Sequence, residues 1–195
     1  MLKPIAAAVA VLVVSLAVFV ATRPDTFRIE RSAVVRASPA TTFALINDFQ
    51  RWPRWSPYET VDPNMARTYE GPGSGVGAMY SWKGNSDIGS GRMTIEESRP
   101  GEQVSIKLEF FAPFTATNQA RFQLVPEGQH TRVTWSMEGP NTLLGKAMSA
   151  FGLMDSFVGK QLETGLANLD AVVAAEATTQ SARAQAGAAP PAPVP

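Results

Sequence analysis

The side chains available for chemistry are few. The 195-residue chain has no cysteine and a single histidine, His130. Without cysteine there are no disulfides, thiolate metal sites or Cys nucleophile. His130 stands in Glu127-Gly128-Gln129-His130, a turn between two apolar strands, so a His-based zinc site or a Ser-His-Asp triad lacks its base. The glycine-rich stretch from Gly71 to Gly77 lacks a following Lys-Ser/Thr and precedes a strand, which does not fit a phosphate loop. Acid/base catalysis needs titratable groups converging on a pocket. Glu70, Arg92, Glu96, Lys107 and Glu109 instead fall on the outward register of the expected strands, and Asp87 on a loop. No catalytic residue, metal ligand or cofactor is predicted. Lys plus Arg equal Asp plus Glu at 17 each, so no basic excess stands ready for a phosphate backbone and no nucleic-acid partner is expected.

What remains is a set of rings and one amide. Trp55, Tyr80, Trp82, Phe110 and Trp135 are expected to face inward or to guard the mouth of an interior space. Such rings fill a core or line an apolar ligand site, where a Trp N–H or Tyr O–H orients the ligand. Asn118 occupies an inward register between Ala116 and Ala120, where a polar side chain needs a partner. That partner is a ligand carbonyl or hydroxyl, a neighbouring backbone group or a buried water. These rings and Asn118 are the candidate ligand-binding residues.

The elements that position them are set by periodicity. Phe27 to Ala37 reads as a first strand. Ser38-Pro39 supplies an N-cap and first helical residue, and Phe43, Leu45 or Ile46, and Phe49 a buried stripe. Pro53 and Pro57 keep the next segment, with Trp52 and Trp55, short. A period of two then governs the chain: Ala78, Tyr80 and Trp82 share a face, as do Val104, Ile106, Leu108 and Phe110, then Asn118, Ala120, Phe122 and Leu124, then Val133, Trp135 and Met137. Beyond Gly139-Pro140 helical spacing returns. An apolar cluster from Leu143 to Met154 reads as a lid or a packed short helix, and Leu162, Leu166, Leu169 and Val173 form the stripe of a long helix. The fold class expected is α+β, a curved antiparallel sheet wrapped around a long C-terminal helix, with a cavity between them.

The ends differ in kind. Residues 5–21 carry Ser15 as their one polar side chain and reach about 26 Å as a helix, predicting an N-terminal transmembrane anchor over 1–22 and a single-pass membrane protein. A cleaved signal peptide is the rival, with Ser15-Leu16-Ala17 as a cleavage site placed inside the apolar run. Arg23, Arg28 and Arg31 after the span outnumber Lys3 before it, which favours a cytoplasmic domain. Residues 23–177 form the domain, and 178–195, rich in Ala and Pro, a disordered tail.

The chain resembles the START-like (Bet v 1-like) or SRPBCC superfamily, in its polyketide cyclase/dehydrase-like branch. The resemblance lies in Ser38-Pro39 with Phe43, in the run from Asp48 to Pro57, in Tyr69-Glu70-Gly71 with Gly75, Gly77 and Trp82, in Thr131 to Trp135 and in Gly165 to Leu169. It implies a helix-grip fold and a deep apolar cavity. The expected function is a membrane-tethered binding protein for an apolar small molecule, lipid-like or aromatic. A cyclase or hydratase acting in the same cavity, or a protein-interaction module, are the alternatives; no particular protein partner is specified.

Overall fold

The computed structural model describes residues 2–187. After α1 (Leu2–Ala21) come β1 (Thr26–Val35) and α2 (Pro39–Ile46). Two 3-10 turns, Phe49–Arg54 and Pro57–Thr60, lead into β2 (Ala66–Glu70), β3 (Met79–Lys83), β4 (Ser90–Arg99), β5 (Gln103–Ala112), β6 (Ala116–Glu127) and β7 (His130–Pro140). The chain closes with α3 (Leu143–Ala150), a π-helical turn (Asp155–Gly159) and α4 (Lys160–Gly187).

The strands form one seven-stranded antiparallel sheet in the order β1-β7-β6-β5-β4-β3-β2. Its inward face carries the residues the alternation picks out: Val104, Ile106, Phe122 and Val133 have no exposure, and Trp135 has 2%. Register shifts between Ser90/Gly91 and Ile95/Glu97 put two irregularities into the β4–β5 ladder, the kind of feature that bends and twists a sheet. Into the curve lies α4, with Leu162, Leu166, Leu169 and Val173 buried as its stripe predicts. The close approach depends on Gly165, where an added Cβ would stand 2.5 Å from the Trp135 ring and 3.0 Å from Pro57. α2 starts as its sequence dictates: the Ser38 hydroxyl accepts from the Thr41 N–H, and Pro39 takes the first turn.

The N-terminal expectation is corrected. Residues 2–21 are helical, but among the described residues no helix is long and apolar enough to cross a membrane. The single-pass membrane localisation, the cytoplasmic orientation and the membrane partner drawn from residues 5–21 are withdrawn with it. The segment after α1 is fixed to the domain: Lys146 Nζ bonds the Ala21 carbonyl (3.4 Å) and Asp25 (2.6 Å), and the Asn141 amide donates to the Pro24 carbonyl (3.1 Å). At the other end, α4 stays helical to Gly187, into the segment expected as a disordered tail; residues 188–195 lie outside those described.

Candidate functional site

The antiparallel order sets two different ends on the grip. The start of β1, the end of β7, the β5–β6 hairpin and the β3–β4 loop all lie at one end, and α3 leaves from it. The other end is closed by α2 and the 3-10 turns.

At the closed end the predicted rings are packed against one another. Trp55 and Trp135 are 1% and 2% exposed, with centroids 5.8 Å apart and edge-to-face, and Phe122 stacks on Trp135 at 4.7 Å. Trp52 joins them, 4.8 Å from Trp55. Trp55 Nε1 donates to the Leu45 carbonyl and Trp52 Nε1 to the Ile46 carbonyl, which pins α2 to the aromatic cluster. Trp135 Nε1 is buried and, among the described residues, lacks an acceptor.

Tyr80 is engaged elsewhere. Its hydroxyl donates to Glu59 Oε1 (2.8 Å), while Arg67 Nε donates to Glu59 Oε2 (2.7 Å). Burial and the bond to Glu59 hold the Tyr80 phenol well above its ordinary pKa. Among the described residues Glu59 is the one buried carboxylate, and sequence reasoning missed it: it lies in a short proline-started turn without periodicity to report its facing. Both its oxygens are occupied. The remaining rings sit along β3 and β5. Trp82 Nε1 donates to the Ile88 carbonyl, and its ring meets Phe110 edge-on at 5.8 Å.

At the open end the packing gives out. Phe27, Phe110 and Asn118 carry on the inward registers of β1, β5 and β6, yet each is only half-buried. The β6–β7 ladder begins at Gln119↔Glu138, so the preceding residues of β6 and the last of β7 are unpaired with each other. Around this splay lies a solvent-open groove of about 690 Å³, whose lining includes Phe27, Arg28, Asn118, Gln119, Glu138 and Gly139. A volume in the range of roughly 300–1,000 Å³ is usual for small-molecule sites. A smaller space of about 70 Å³ lies at Phe49, Tyr69 and Ala78. Glu59 lines neither of them.

Exposed apolar side chains are also carried by the elements at this end. Phe111 and Phe114 project from the β5–β6 hairpin, and Leu143, Leu144, Phe151 and Leu153 from α3 and its continuation, all more than half exposed. Within the apolar cluster from Leu143 to Met154 these four stay exposed, while Ala147 and Met148 are half-buried and Met154 packs against the core. Of the predicted residues, Asn118 reaches the groove and Phe110 pairs with Ala116 one step further along the same strand edge. Trp55, Tyr80, Trp82 and Trp135 do not line it. Phe27 and Gly139 were missed; Phe27 alternates with Ile29, while Gly139 next to Pro140 reads only as the end of a strand.

A curved antiparallel sheet, a long helix laid into it and a groove at the unfilled end define a helix-grip protein. The sequence matches the family described as polyketide cyclase/dehydrase and lipid transport over residues 26–174, and the chain belongs to that family. Solved structures share the fold at low identity. A Rhodobacter sphaeroides protein is 18% identical, with a TM-score of 0.57 over 79% of this chain and 95% of its own. A Thermobifida fusca protein is 20% identical, with a TM-score of 0.55 over 73% and 90%. Major latex-like protein 151 from Panax ginseng is 14% identical, with a TM-score of 0.52 over 76% and 97%. No curated protein matches the sequence.

Proposed function

We propose that this protein binds an apolar small molecule, aromatic or lipid-like, at the open end of the grip. The observation that carries this reading is the groove of about 690 Å³ at Phe27, Asn118 and Gly139, beyond a core in which Trp55, Phe122 and Trp135 pack against one another. Membership of a family described by cyclase, dehydrase and lipid-transport activities supports an apolar ligand. Asn118 is its contact among the residues singled out from sequence, with Phe110 next along the strand edge; Trp55, Tyr80, Trp82 and Trp135 do not line the groove. Binding is favoured over turnover because the inward carboxylate, Glu59, is spent on Arg67 and Tyr80 and does not line the groove. Native mass spectrometry of the protein purified without added ligand tests this. The expected result is a small-molecule adduct that is lost on denaturation. A bare protein mass, together with no thermal shift from naphthalene-based probes, overturns it.

A further inference from the structure

Three features of the groove bear on what kind of molecule it accepts, and the inference rests on the binding role just proposed. First, Asn118 lines the groove half-buried, and among the described residues its amide makes no side-chain hydrogen bond. Its amide atoms are open to solvent, so a ligand that displaces water from the groove must replace the hydrogen bonds that the amide makes to water.

Second, Gly139 gives the amide its place. A Cβ built on Gly139 would collide with Asn118 Oδ1 and come within 3.3 Å of the Phe27 ring. The backbone at 139 lacks a side chain where the Asn118 head and a ring must lie side by side. Ala116 and Ala120, its neighbours on the same face of β6, leave that head uncrowded along the strand.

Third, the charges of the groove are already matched. Arg28 Nη1 bonds Glu138 (2.9 Å) and its Nη2 bonds Glu30 (2.6 Å), while Arg121 stands 4.0 Å from Glu138. Arg28, the one cation among the described residues that line the groove, is thus already held by two carboxylates and is not free to take a carboxylate or phosphate head.

We infer that the ligand is a neutral molecule with an apolar, ring-sized body and one carbonyl or hydroxyl group, and that Asn118, seated against Gly139, is the residue that selects that group. The apolar body lies against Phe27 and Phe110, and the polar group hydrogen-bonds the Asn118 amide in place of water.

The test compares three naphthalenes of similar shape on the full chain: 2-acetonaphthone, 2-isopropylnaphthalene and 2-naphthoate. The quantity read is the Kd of the isopropyl compound divided by that of the ketone, within each variant. Asn118→Leu is expected to lower this ratio roughly 3- to 10-fold from wild type, the size of one net hydrogen bond. Gly139→Ala, which displaces the amide, should lower it in the same direction, and Asn118→Ala gives the reading if the leucine variant does not fold. Wild type should bind 2-naphthoate more weakly than the ketone. A ratio unmoved in the folded variants, or 2-naphthoate as the tightest ligand, overturns the selectivity while leaving apolar binding in place. If wild type binds none of the three, the binding role itself falls.

Discussion

Glu59 is held almost out of water, its side chain 5% exposed, by a guanidinium on one oxygen and a phenol on the other. Taking one member from such a pair leaves the other charge uncompensated, which costs more than the pair contributes when whole. Glu59→Gln keeps an acceptor for Tyr80 but strands Arg67, which is 24% exposed and retains a 3.0 Å bond to the Met65 carbonyl. The expected loss is about 2 kcal/mol in urea unfolding, below the figure for a fully buried pair because water still reaches Arg67. Replacing both partners, Glu59→Gln with Arg67→Met, should recover part of it. A loss in the double variant as large as the sum of the two single losses would show that the groups do not act as a pair. Asn118 is the contrasting case. Both are polar side chains on an inward path, but Glu59 is met by its own chain, whereas Asn118 faces a groove.

α4 and β7 approach each other through Gly165, and here two local rules oppose each other. Helix propensity favours Ala over Gly by about 1 kcal/mol, so an isolated α4 would gain from Gly165→Ala. In the folded chain the added methyl meets the Trp135 ring at 2.5 Å and Pro57 at 3.0 Å, neither of which is the free end of a flexible side chain. Overpacking of this kind costs about 1–3 kcal/mol, so packing should win and the variant should unfold at lower urea concentration. A stabilised variant would mean that α4 stands farther from the sheet than this contact requires. The neighbouring turn is tied differently: Arg31 of β1 bonds Asp155 (2.9 Å) and Glu163 (2.6 Å), joining the sheet to the π-helical turn and to α4. An added Cβ at Gly159 would strike that guanidinium, so the two glycines serve two separate contacts.

The whole molecule is organised around one cluster that begins at Ile29 in β1 and ends at Val173 in α4. α1 lies outside it, joined to the domain through Ala21, Asp25 and α3. A chain starting at Thr22 should therefore keep the far-UV circular dichroism of the sheet and melt cooperatively within a few degrees of the full protein. Loss of cooperative melting would show that α1 is part of the folding unit. The ordering of strands and the long helix could be read from the residues, since the periods of two and 3.6 are local properties and the turns between them carry Gly and Pro. The inward facing of Tyr80, Trp82, Val104 to Phe110 and Asn118 came from the same parity. Parity does not say how full the interior is at each position. Trp135 and Asn118 both point inward, yet one is sealed under Gly165 and Phe122 and the other opens to a groove. That distinction depends on where β6 and β7 cease to pair and on which end α2 and α4 cover, contacts between residues far apart in sequence. For the same reason Glu59 and Gly139 stayed silent: a carboxylate in a short turn and a glycine at a strand end acquire meaning only from Arg67, Tyr80 and Asn118, which the fold brings beside them.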